Sequence, residues 1–189
     1  MGITKEEAIN IAIREAKNYK TKLSNIVLLI IYRDRIDNNV KSLEIEFQPH
    51  NYQHLTGLLL TKTDKETGKV IVREHTALEF YHRCIDKPYI TLREIKIDDK
   101  STIDLKMLAL PYITQITKIT KMTGEFDGNK KIKLVADYII GGENNCIGIS
   151  KNRDNDKYYP RSCLKENIKN TTKYSSQVPA KTFKVQGCL

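Results

Sequence analysis

The chain has no tryptophan, no CxxC pair, and no apolar run longer than IVLLIIY at Ile26–Tyr32. A membrane-spanning helix needs roughly 18 or more consecutive apolar residues, so a spanning segment is not expected. The cysteines Cys84, Cys146, Cys163 and Cys188 are scattered. They suit reduced thiols in a cytoplasmic compartment better than a disulfide or zinc framework. The opening MGITKEEAIN carries neither a secretion signal nor the full context of a myristoylation site. No G-x-S-x-G, Walker A or dinucleotide fingerprint occurs, and the glycines of GEFDGNKK and GGENN read as turns. These absences argue against a membrane-spanning helix, nucleotide-cradling loops and serine-hydrolase chemistry.

What is present is positive charge. The 32 Lys and Arg outnumber the 23 Asp and Glu, for a net +9 over 189 residues. Such an excess favours a polyanionic partner, because each cation that meets a phosphate releases condensed counterions. A lysine-rich genome would produce the same excess without function. The hydrophobic fraction of 40% and charged fraction of 29% are those of an ordinary folded chain, long enough to bury a core.

The pattern of apolar residues gives the elements. Thr4 and Glu7 form a capping box, and Ile9, Ala12, Ile13 and Ala16 recur at helical spacing, so a helix is expected to about Thr21. Strands follow at Ile26–Arg33 and Ser42–Phe47, the second alternating Leu43, Ile45 and Phe47 with glutamates. PHNYQHLTG breaks the pattern as a turn. Leu58–Thr61 and Val70–Arg73 flank a polar connection that reads as a hairpin or a loop. Thr76 opens a short helix through Ile85, and Thr91 another turn. Ser101 or Thr102 starts the longest helical candidate, with Leu105, Leu108, Ala109, Tyr112, Ile113, Ile116 and Ile119 as its stripe and a kink or break at Pro111. Strands are expected at Lys131–Ile140, Cys146–Lys151 and Ala180–Val185, and a helix from Pro160 to Asn170 with Ser162 at its cap. Strands and helices come in blocks, which argues an α+β fold with a twisted, mainly antiparallel sheet in one domain, 1–189. Within it, 1–24 is the N-terminal helix and 25–189 the core.

Among chemical candidates, His50 and His54 lie four apart. In an extended segment that separates them by roughly 13 Å, too far for one ion, and no metal site is expected there or around His75, His82 and Cys84. His54 is left as either a proton carrier or a group bonded across the turn. RNA cleavage needs few protein groups. One takes the 2′-hydroxyl proton, cations hold the charge on phosphorus, and an acid protonates the leaving oxygen. Lys151 at a strand end, with Tyr158, Tyr159, Arg161, Ser162 and Lys165 around the expected helix start, offers phosphate contacts. The same stretch also reads as a solvated loop with a capping serine.

Taken in order, FQPHNYQHLTGLLL, ALEFYHRCIDKPYITLREI, GISK…YYPRSCLKENIKN and AKTFKV resemble a phage-associated nuclease family of the BECR group, named for barnase, EndoU, colicin and RelE-like nucleases. The Phe-x(4)-Tyr-Gln-His-Leu-Thr-Gly block is its most specific piece, and the likeness runs from about Leu43 to Val185. It implies helices packed on one face of a twisted antiparallel sheet whose open face carries the site. It also implies a cofactor-free, metal-independent endoribonuclease acting as a toxin in a bacterial cytoplasm, with RNA, tRNA included, as substrate and an antitoxin or host protein as partner. Under the resemblance, His54 moves the proton, Thr56 orients it or touches phosphate, and Lys151, Arg161, Ser162 and Lys165 bind the scissile phosphate. Tyr52 or Tyr159 stacks a base. VADYIIGGENN departs from the family's threonine-lysine start to the late hairpin, which leaves Asp137 either a catalytic partner or a strand residue. The alternative function is a catalytically silent phage protein that blocks a nucleic acid or a host or defence protein by binding it.

Overall fold

The computed structural model describes residues 2–86, 88–98, 102–117, 121–130, 132 and 134–185. Ser101, Ile119, Lys131 and Cys188, which figure in the expectations above, lie outside the described residues.

The first helix, α1 (Lys5–Lys22), begins at the expected capping box, with Thr4 accepting from the Glu7 N–H and Glu7 reaching back to Thr4. Its buried stripe is Ala8, Ile9, Ala12, Glu15, Ala16 and Tyr19. Antiparallel strands β1 (Ile26–Arg33) and β2 (Val40–Phe47) follow, and the alternation of Leu43, Ile45 and Phe47 points inward as the sequence indicates. A short helix α2 (Asn51–Thr56) leads into β3 (Leu58–Thr63), which forms a hairpin with β4 (Val70–Val72). Next come α3 (Ala77–Ile85), a single 3₁₀ turn capped by Thr91 and Glu94, and β5 (Ile95–Ile97), which pairs with β3.

Helix α4 (Ile103–Ala109) stops before Pro111 and continues as a 3₁₀ stretch, Leu110–Thr117. The break falls where a ring without an N–H ends the α-helical ladder. Strands β6 (Lys121–Glu125), β7 (Tyr138–Gly141), β8 (Cys146–Lys151), β9 (Tyr158–Leu164) and β10 (Val178–Val185) complete the chain.

The fold is α+β, but its main sheet is not the open, twisted one expected. Seven strands close in the order β1-β10-β6-β7-β8-β9-β2, with a separate three-stranded sheet, β4-β3-β5. The ring is antiparallel except at its seam, where β2 meets β9 in parallel at Ile45 and Tyr158. Strand twist accumulated around seven strands brings the two edges together, so neither remains open. One core joins α1, β1 and β2 to α2, α3 and α4, and a smaller cluster of Ile139, Cys146, Leu164 and Ile168 lies beside it. The seam matters for function because it brings the α2 segment against β9. No helix among the described residues is long and apolar enough to cross a membrane.

Candidate active site

Residues 51–56, expected as a turn, form a helix of barely more than one turn. Gly57 closes it at φ +67°, a conformation that glycine adopts without strain, and its N–H donates to the Gln53 carbonyl at 3.2 Å. The helix sets its faces apart. Tyr52 is fully buried among Tyr19, Phe80 and Tyr81, its ring centroid 5.0 Å from that of Tyr19, and its hydroxyl donates to the Ala12 carbonyl at 2.6 Å. Burial pushes its phenol well above the ordinary range.

Thr56 is also fully buried. Its hydroxyl donates to the Gln53 carbonyl at 2.8 Å and accepts from the Leu58 N–H. The expectations of base stacking by Tyr52 and of phosphate or His54 contact by Thr56 are therefore corrected. Tyr52 anchors the helix to α1 and Thr56 fastens its end, so neither presents a surface to a ligand. Tyr52→Phe is expected to cost about 0.5–1.5 kcal/mol, read as a melting temperature lowered by a few degrees.

His54 takes the opposite direction and stands exposed at the surface. Neither ring nitrogen has a hydrogen-bond partner among the described residues. Its pKa lies below the ordinary 6.5, because crowding at the cleft wall removes water, and the Arg161, His50 and Lys106 charges repel a further proton; Asp98 opposes them. The imidazole is therefore neutral at pH 7 and free to accept a proton.

The segment expected as a helix from Pro160 is strand β9 instead. Its register with β8 pairs Ile149 with Pro160 and Gly148 with Ser162, so Arg161 is an extra residue, a β-bulge. A bulge tolerates the proline that a regular ladder would reject, and it re-aims the residue it inserts. The Arg161 guanidinium donates to the Tyr159 hydroxyl at 3.1 Å, and no carboxylate among the described residues is within ion-pair reach of it. Ser162 is not a helix cap. It is 2% exposed, and its Oγ has no partner among the described residues.

A second polar anchor holds the parts in place. The Cys163 thiol, buried and pushed up to about 12, points at the Leu55 carbonyl of α2 (3.3 Å) and the Lys106 carbonyl of α4 (3.6 Å). It pins both helices to β9 as an inert group rather than a nucleophile.

Two clefts open on this arrangement. The first, about 510 Å³, brings together Gln53, His54, Lys106, Arg161 and Ser162, with Asp98 at its edge and Phe126 and Leu134 on its apolar wall. The second, about 360 Å³, is lined by His50, Asn51, His54, Asn155, Lys157 and Tyr159. His54 belongs to both.

The structure thus unites His54 with Arg161 and Ser162, and places Tyr159 beside His54 in the second cleft. It does not bring in Lys151 or Lys165. The Lys151 ammonium is paired with Asp156 at 2.9 Å beside a different depression, formed by residues 151–156. Lys165 lies over the Tyr112 ring at 5.2 Å, outside both clefts. The structure therefore does not gather these two lysines with His54 and Arg161, since Lys151 pairs with a neighbour and Lys165 lies against the 3₁₀ stretch that follows α4. Asp137 accepts the Lys151 N–H at 2.7 Å, the position of a hairpin-end residue.

Lys106, Gln53 and Asp98 are cleft residues that the sequence reading missed. Lys106 had a signal. Ile103, Lys106, Met107 and Leu110 follow the spacing i, i+3, i+4, i+7, and all four are buried, so the inward stripe of α4 contains a lysine. The stripe read from Leu108 and Tyr112 is displaced from it, since those side chains are 51% and 44% exposed.

No group of three or more His, Cys, Asp or Glu among the described residues is placed to hold a metal ion, and His50 and His54 have no third donor. The chemistry on offer is a proton acceptor beside cations in a concave site. No curated protein and no solved structure matches the chain. One family does, the phage-Barnase-EndoU-ColicinE5/D-RelE like nuclease 4 family, over residues 13–185, a span that contains every residue of both clefts. By that match the chain belongs to this family of nuclease-like proteins.

Proposed function

We propose that the chain is a metal-independent endoribonuclease. Neutral His54 removes the proton of a ribose 2′-hydroxyl, and that oxygen attacks the adjacent phosphorus. The 5′-oxygen of the following nucleotide departs and takes up a proton from water, leaving a 2′,3′-cyclic phosphate, and His54 returns its proton to solvent. Arg161 stabilises the charge that gathers on phosphorus, Ser162 contacts a phosphate oxygen, and Tyr159 flanks the neighbouring nucleotide in the second cleft. The observation that carries this reading is the shared cleft. His54 follows β2, and Arg161 and Ser162 lie in β9, more than a hundred positions later, yet all three line one cavity. The proposed setting is a bacterial cytoplasm, where a phage or mobile element deploys the protein against RNA and an antitoxin or host protein restrains it.

Purified protein incubated with mixed cellular RNA and tRNA in EDTA is expected to yield fragments ending in 2′,3′-cyclic phosphate. A substrate carrying 2′-deoxyribose at the cut position is expected to survive. RNA left whole under these conditions overturns the activity, as does cleavage that requires an added divalent ion. Binding that weakens steeply with salt and yields no fragments assigns the protein to the inhibitory class instead.

A further inference from the structure

We propose that the floor of the first cleft is a receptor for one backbone phosphate of RNA, with Lys106 supplying its charge and Gln53 and Ser162 its neutral donors. The inference deepens the nuclease reading and rests on it for the identity of the ligand. Three side chains carry it, each more than nine-tenths buried and each open to the same cavity.

Lys106 is 8% exposed, and no carboxylate among the described residues is within ion-pair distance. Buried charges are ordinarily paired, because desolvating an isolated ion is costly. Gln53 is 5% exposed and Ser162 2% exposed, and among the described residues neither the Gln53 Nε2 nor the Ser162 Oγ has a partner. Unsatisfied buried polar atoms are uncommon in folded proteins. A cation and two donors without partners, converging on one cavity, form the complement of an anion.

Local backbone supports the placement. A Cβ at Gly57 would lie 2.9 Å from Cδ and 3.0 Å from Nζ of Lys106, so the lysine stem crosses the one residue of the helix end that leaves it room. Two named donors are neutral and the third is a point charge, a set that suits a phosphodiester with a single charge. The cavity, at about 510 Å³, is within the range of small-ligand sites and has an apolar wall at Phe126 and Leu134 for the attached sugar and base.

The test is calorimetric titration of the full chain with two probes, inorganic phosphate and a 2′-deoxy dinucleotide that cannot be cut by 2′-hydroxyl attack. Wild-type protein is expected to bind both, the dinucleotide at least tenfold more tightly. Lys106→Met is expected to weaken both at least tenfold, and Gln53→Met and Ser162→Ala several-fold each. Lys17→Met, which removes the same charge from the exposed face of α1, is expected to bind as wild type does. Should Lys106→Met fail to fold, Ser162→Ala decides, since it deletes a hydroxyl that no group among the described residues holds.

Binding within twofold of wild type in Lys106→Met and Ser162→Ala overturns the proposal, and so does an equal loss in Lys17→Met. Equal affinity for the two probes overturns the assignment to an RNA backbone. A protein that binds phosphate through Lys106 yet leaves RNA whole keeps the receptor and loses the proposed activity. A protein that cuts RNA while Lys106→Met binds both probes normally keeps the activity and loses the receptor.

Discussion

With His54 as the proposed general base, His54→Ala is expected to lower the rate of RNA cleavage by about 10²–10⁴-fold, the span that follows removal of a positioned base. The fold survives the change, because the ring is exposed and has no hydrogen-bond partner among the described residues. Circular dichroism and the melting temperature therefore match wild type while activity is lost. The pH profile gives an independent reading. Crowding, and then the charges of Arg161, His50 and Lys106, hold the His54 pKa below 6.5, and the ring is neutral above its lowered pKa and charged below it. A base must be neutral to accept the 2′ proton, so kcat/KM rises with pH through an acidic limb centred below 6.5 and then levels. In the alanine variant that limb disappears from the residual rate. In a bacterial host, toxicity on expression falls with the same substitution. Toxicity that persists in the variant points to binding rather than cutting.

Arg161→Ala is expected to give the second large effect, about 10²–10³-fold in rate, because in the proposed mechanism it removes a donor to the charge that develops in the transition state. The substitution also acts on His54 through charge. Arg161 is among the charges that depress the His54 pKa, so its removal moves the acidic limb upward toward 6.5. Rate and limb thus change together, in a direction set by the sign of one interaction. Arg161→Lys keeps the charge but loses the planar fork that donates to the Tyr159 hydroxyl, and it is expected to restore the limb more fully than the rate.

Much of the chain was legible in its sequence where local rules and tertiary packing agree. The capping box of Thr4 and Glu7 starts α1, and β1 and β8 have the bounds that their apolar runs indicate. Legibility fails where distant contacts decide. Residues 160–164 satisfy the rules for a helix start, yet they fill the slot between β8 and β2, and pairing with β8 outweighs local propensity. Closure of the ring depends on a parallel seam between segments far apart in sequence, which no local pattern encodes.

The candidate site divides in the same way. His54 and Arg161 were visible as residue types suited to the chemistry. Tyr52 was visible too, but an aromatic beside a histidine suggests stacking on a base, and the chain spends this one on its core. Lys151 and Lys165 were attractive as charges, and only the structure shows Asp156 beside one and Tyr112 beside the other. Lys106 went unnoticed because a lysine within an apolar stripe reads as an interruption rather than as a buried cation.

The claim that joins these results is that one ribose phosphate meets His54 and the cleft cations at the same time. A crystal structure of the protein with the 2′-deoxy dinucleotide tests it most directly. The account predicts the linking phosphate in the first cleft within hydrogen-bond distance of Arg161, with the 2′ position of the upstream sugar facing the His54 ring and the two nucleosides divided between the two clefts. A dinucleotide seated elsewhere, or one whose sugar turns its 2′ edge away from His54, contradicts it.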